Sequence, residues 1–203
     1  MKRIIFGSIV ILPILGLMLF AGYSTTAKCN HPSLTSLKPQ DTRKFTAAPL
    51  RALIRIRLEA PTEEVFDYLS NSKALPKWMP GLKSLYYDHS NSINRGKLSE
   101  GSKRKMMFGN QAEIEKIVQF DRPNLIAYQI VEGVPLRNHL AMMTVEESGT
   151  SGSYLTWYQY FDIKKSSLMG WFMPFMVRRF LNDASYNLIE EFGGSTIELN
   201  NCN

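Results

Sequence analysis

Two cysteines and three histidines are all that this 203-residue chain offers to a soft or borderline metal ion. His31, His89 and His139 are far apart, and Cys29 and Cys202 lie near opposite ends. No metal-ligand spacing results, so no metal site is expected. The chain also lacks a G-x-S-x-G nucleophile elbow, a phosphate-binding glycine loop and the Rossmann glycine pattern. Nothing in it calls for a cofactor. Charge is not concentrated either. The net charge of +6 is spread over short clusters, Lys103-Arg104-Lys105, Lys164-Lys165 and Arg178-Arg179, with no nucleic-acid motif beside them. These read as solvated surface with mild attraction to anionic lipid, and nucleic acid is not an expected partner.

Long apolar runs are absent with one exception. Met1-Lys2-Arg3 is followed by 17 uncharged residues, Ile4 to Phe20. A positive start and an apolar centre address a chain to the secretory route. The run is long for a signal peptide and short for a spanning helix, which needs about 20 apolar residues. Segment 1–27 is therefore a signal peptide, cleaved after Ala27, or a retained membrane anchor. Either way, the rest is expected outside the cytoplasm, periplasmic or tethered to the membrane. A disulfide between Cys29 and Cys202 would suit that compartment, and two unpaired thiols fit the spacing equally.

What is present is patterned. Residues 28–49 are polar, hold three prolines and read as a linker. LRALIRIRLEA (50–60) alternates Leu53 or Ile54, Ile56 and Leu58 with arginines, so it is a strand. In APTEEVFDYLSN, Thr62 is expected to cap a helix whose apolar face is Val65, Phe66 and Leu69. SKALPKWMPGL reads as a second short helix or turn. Six strand-like runs follow, at 82–89, 101–108, 112–120, 124–132, 137–147 and 153–163, separated by turn-rich breakers. Short loops between successive strands argue for an antiparallel sheet.

The chain closes on a helix expected from about Met173. Met176, Val177, Phe180, Leu181, Ala184, Leu188 and Phe192 form one apolar stripe, and Gly193-Gly194 stops it. A curved sheet is the only large partner for that stripe. The expectation is α+β: about seven antiparallel strands wrapped around a long C-terminal helix, with two short helices after the first strand. Residues 50–193 would form this domain and 194–203 a tail.

In that order, the first strand, APTEEVFDYLSN, LPKWMPGLKSL, the glycine of GSKRKM, DRPNLIAYQIV, GSYLTWYQYFDI and the terminal helix resemble the START-like proteins of the SRPBCC superfamily. Within it they are most similar to the polyketide cyclase/dehydrase branch. The resemblance covers about residues 50–193. It implies the helix-grip fold and a deep apolar cavity for lipids, sterols, polyketides or quinones. The superfamily holds enzymes, carriers and co-chaperones, and no shared catalytic motif carries over.

Alternation assigns the inward side chains. Leu155, Trp157, Gln159 and Phe161 share a face, and Leu155 and Trp157 match the family's inward pair. Tyr128 and Ile130 share another, as do Met106 and Phe108. Val145 resembles an inward aliphatic of the family and brings Met143, Ala141 and His139 with it. Trp78 and Met79 are placed at one end of the cavity, and Met176 and Phe180 on the helix face it. Trp78, Trp157 and Phe180 fit plain core as well as ligand contact, because large aromatics dominate cores. His139 is the candidate for acid–base work, and a hydrogen-bonded histidine is the alternative. Gln159 could orient a ligand carbonyl or hydroxyl.

The stretch LMGWFMPFMVRRF (168–180) carries more apolar surface than the stripe needs. Pro174 suits the first turn of a helix, which would leave Trp171 and Phe172 just before it, at the cavity mouth or on a membrane. Too few residues separate Lys165 from Arg178 for a spanning segment. The favoured function is binding or carriage of a hydrophobic small molecule. The alternatives are a cyclase- or dehydratase-type enzyme and a membrane- or protein-interaction module.

Overall fold

Alternation sets the first strand of the computed structural model, which describes residues 42–149, 151–163 and 168–199. In β1 (Leu50–Leu58), Ala52, Ile54, Ile56 and Leu58 point to one face and are buried, while Arg55 and Arg57 lie half-buried on the other. Leu53 joins a separate apolar cluster on the opposite face. Helix α1 (Thr62–Ser70) and the single turn α2 (Leu75–Trp78) follow. A meander then runs through β2 (Leu82–Asp88), β3 (Lys103–Phe108), β4 (Gln111–Asp121), β5 (Leu125–Glu132), β6 (Leu136–Ser148) and β7 (Gly152–Ile163). Helix α3 (Leu168–Phe192) and β8 (Gly194–Leu199) complete the chain. The sheet order is β2-β3-β4-β5-β6-β7-β1-β8, antiparallel throughout, so the expected α+β helix-grip arrangement is present with one more strand than anticipated.

The eighth strand comes from the segment expected to be a tail. Gly193 and Gly194 have φ of 71° and 124°, and a Cβ on Gly194 would meet the Arg57 carbonyl oxygen at 1.9 Å. Only glycine lets the chain leave the helix and pair at once with β1. The same dipeptide that stops α3 therefore starts β8, with Gly194 opposite Leu58.

Three other expectations change. Thr62 does not cap α1. Pro61 is the N-cap, its carbonyl accepting the first helical bond from the Val65 N–H at 3.1 Å, while the Thr62 hydroxyl bonds the Glu63 carboxylate. Helix α3 starts before Trp171 and Phe172, so Pro174 lies inside it. The last part of the presumed linker is packed. Phe45 and Leu50 cover the outer cluster of Leu53, Leu140, Met142 and Tyr158. That cover is pinned by bonds from Gln129 Nε2 to the Phe45 carbonyl (2.9 Å) and from the Phe161 N–H to the Pro49 carbonyl (3.3 Å).

The main core lies on the concave face, where Leu181, Ala184 and Leu188 of α3 share one apolar cluster with residues of β1, α1 and α2, and α3 packs chiefly against β1. No helix among the described residues is long and apolar enough to cross a membrane. The apolar N-terminal segment, Cys29 and Cys202 lie outside the described residues.

Candidate functional site

The helix stripe does not fill the concave face along its whole length. Toward the N-terminal half of α3, a cavity of about 380 Å³ remains. Met173, Met176, Val177 and Phe180 line it from the helix, and Met79 closes it after α2. Met106 and Phe108 face it from β3, Tyr128 and Ile130 from β5, and Gln159 from β7. Val134, Pro135 and Leu136 enter from the β5–β6 connection. Exposed Gln111, Pro135 and Met176 are all on the wall, so the mouth lies between the β3–β4 hairpin, the β5–β6 hairpin and α3. A bond from Gln111 Nε2 to the Gly133 carbonyl (2.6 Å) ties the two hairpins together. Gly133 has φ of 100°, and a Cβ there would meet the Ala112 carbonyl oxygen at 2.1 Å, so this close approach requires glycine.

Of the residues alternation predicted, Met79, Met106, Phe108, Tyr128, Ile130, His139, Gln159, Met176 and Phe180 are on the wall. Trp78, Met143, Trp157 and Phe161 are not. All four are core residues, at most 1% exposed. Trp157 meets Trp78 edge-on at 5.7 Å and Phe180 at 5.9 Å, so these rings form the floor beneath the cavity. Trp171 (42% exposed) and Phe172 (45%) do not line the cavity; they sit on the outer surface of α3, beside Phe175 and Met176.

His139 lies where the sheet opens. Pairing of β5 with β6 ends at Tyr128–Ala141, and β6 carries an extra residue before Leu140, with Asn138 at φ 50°. The backbone N–H of Ile130 therefore donates to His139 Nδ1 (3.0 Å) rather than to a ladder carbonyl. That acceptor role places the ring proton on Nε2, which donates to Gln159 Oε1 at 2.8 Å. Both ring nitrogens are engaged, and burial lowers the imidazole pKa to about 4. His139 is thus a hydrogen-bonded histidine, neutral at physiological pH, which is the alternative the sequence left open beside acid–base work.

This arrangement gives a pH test. A histidine with a depressed folded pKa takes its proton more readily when unfolded, so its contribution to stability is lost as pH falls from about 6.5 toward 4. The expected loss by pH 5 is on the order of 2 kcal/mol. In urea unfolding at pH 7 and pH 5, His139→Asn should remove that part of the difference.

Alternation did not single out the charged residues of the wall. Glu113 and Glu115 face the cavity from β4, and Arg104 of β3 lies directly opposite Glu115. Arg104 and Glu115 are 1% and 2% exposed and form an ion pair. The Arg104 Nη2 has no hydrogen-bond acceptor among the described residues, and the guanidinium sits 4.5 Å from the centre of the Tyr128 ring. Glu113 hydrogen-bonds Glu115. Burial, and then the neighbouring Glu115, push the Glu113 carboxyl up to about 8. Burial also raises Tyr128. The outcome is a network at one wall of a mostly apolar space: the Arg104 cation, Glu115, whose carboxyl is raised by burial and held down by the paired guanidinium, and protonated Glu113.

The comparisons agree with this architecture. A START superfamily protein of Mycobacterium smegmatis superposes with a TM-score of 0.57 at 14% identity, over 70% of this chain and 97% of that one. XoxI of Bacillus cereus gives 0.55 at 20% identity, over 69% and 93%. A truncated norcoclaurine synthase of Thalictrum flavum gives 0.54 at 16%, over 72% and 94%. At such identities the likeness shows the fold alone. No curated protein matches the chain. Residues 50–192, the whole helix-grip unit apart from β8, match the family described as polyketide cyclase / dehydrase and lipid transport, and the chain belongs to that family.

Proposed function

We propose that this domain binds and carries an apolar small molecule in the cavity between its sheet and α3, outside the cytoplasm. The observation that carries the reading is the cavity itself: about 380 Å³, lined mostly by methionine, aromatic and aliphatic side chains. A space of that size suits a small ligand, and flexible methionines adapt to more than one shape. The family's description includes lipid transport, which supports the reading. The uncharged run from Ile4 to Phe20 supports export. Neutral N-phenyl-1-naphthylamine, which fluoresces in apolar sites, should bind saturably at one site per chain, and apolar extracts should displace it. Failure to bind this probe, together with no retained lipid in native mass spectrometry, would sink the proposal.

A second observation favours delivery at a membrane. Trp171, Phe172, Phe175 and Met176 are 42–48% exposed on the helix that borders the mouth. A group of this kind marks an interaction surface, and a bilayer is where an apolar ligand would be exchanged. Trp171→Asp with Phe172→Asp should reduce sedimentation with anionic vesicles severalfold and leave naphthylamine affinity unchanged, because neither residue touches the cavity. Unaltered vesicle binding would remove this second reading.

A further inference from the structure

The wall network is unbalanced. Two carboxyls, Glu113 and Glu115, face the cavity, and a single buried cation, Arg104, answers them. Lys103 and Lys105 flank Arg104, but alternation turns them to the other face, where both are exposed. The remaining groups add no positive charge. From β5 the cavity meets Tyr128, from β6 the neutral His139, from β7 Gln159, and from α3 only Met173, Met176, Val177 and Phe180. Glu115 has the guanidinium. Glu113 is half-buried, hydrogen-bonds Glu115 and feels the Arg104 charge only as the weakest of its influences, and it lies nearer the mouth, two residues from the exposed Gln111.

A desolvated carboxyl with no cation paired to it favours its protonated form, and it exchanges that proton for a cation that arrives. We infer that the ligand is an apolar molecule carrying a protonated amine, with the amine seated on Glu113 and the apolar body against Met106, Phe108 and α3. This rests on the carrier reading and specifies its ligand class. Binding would ionise Glu113, complete two carboxylate–cation pairs in the wall, and release a proton to solvent. The proton balance is explicit: one O–H bond of Glu113 breaks, the amine stays protonated, and the site exchanges H⁺ for R–NH₃⁺.

The test compares two chains of equal length, octylamine and octanol, as displacers of N-phenyl-1-naphthylamine. Octylammonium should bind about tenfold more tightly than octanol, the gain typical of a charge-assisted hydrogen bond in place of a neutral one. Its affinity should rise from about pH 6 to about pH 9 as Glu113 more readily gives up its proton, while octanol shows no such rise. Calorimetry at pH 7 in buffers of different ionisation enthalpy should show close to one proton released per octylammonium bound. Glu113→Gln should abolish the release and bring the amine-to-alcohol affinity ratio near one. If the variant does not fold, the wild-type pH profile and proton count still decide. Octylammonium binding no tighter than octanol, or binding without proton release, overturns the inference and leaves the carrier reading standing. No binding of the naphthylamine or of either chain, with no lipid retained in native mass spectrometry, overturns both.

Discussion

Arg104→Met is expected to lower the unfolding free energy by about 3–5 kcal/mol, because it strands a buried carboxylate. Glu115 is 2% exposed and directly opposite Arg104, so water cannot replace the guanidinium. The methionine fills much of the space, which assigns the loss to charge rather than to a hole. Its pH dependence follows from the chemistry. Stranded Glu115 can escape by taking up a proton, and its folded pKa then stands well above its unfolded one. A carboxyl shifted that way costs stability as pH rises through its unfolded value, so the variant should suffer more at pH 8 than at pH 5. Arg104→Met combined with Glu115→Leu should recover most of the loss, since a buried ion pair replaced on both sides by apolar groups is often neutral or stabilising. Urea unfolding of the two variants checks this. A double variant no more stable than the single one would mean that Arg104 acts through its packing on Tyr128 instead.

That pair shows how far the sequence could be read. Assigning Met106 and Phe108 to the inner face commits Arg104 to it, two residues earlier. Gly109-Asn110 is a two-residue turn with Gly109 at φ 62°, and it sets Phe108 opposite Gln111. Counting back along both strands puts Met106 opposite Glu113 and Arg104 opposite Glu115. The information was present. It was hidden because a charged residue in a strand usually marks the wet face, and only the register shows that two opposite charges meet inside.

The remaining departures have other physical causes. The apolar periods of β1, α1 and α3 were legible because they are long and one face is buried. The start of α3 was not. Proline favours the first turn, yet here Pro174 lies seven residues into the helix, where it forgoes the amide bond that would have run to the Gly170 carbonyl. β8 was masked because Gly193-Gly194 carries a stop signal, and nothing local states that β1 has an open edge beside it. His139 was assigned to the correct face. Its chemistry depended on a gap between β5 and β6 that alternation cannot show, since the gap is filled by the imidazole itself.

Trp157→Ala should be the other large loss, again about 3–5 kcal/mol. Trp157 has no exposed surface and joins three parts of the molecule: its own strand, Trp78 of α2 at 5.7 Å and Phe180 of α3 at 5.9 Å. Neither partner can move into the space without leaving its own contacts, so a void remains and adds to the lost transfer energy. Edge-to-face geometry with both rings adds somewhat more. The functional consequence separates core from wall. Trp157 does not touch the cavity, but Phe180 does, and the new void would open beneath it. The variant should therefore unfold at a lower urea midpoint and, while folded, accept longer chains. In displacement of the naphthylamine, dodecanol should gain on octanol relative to wild type. A direct ligand contact would give the opposite pattern, with affinity falling for every chain length, and that result would move Trp157 from the floor of the cavity to its wall.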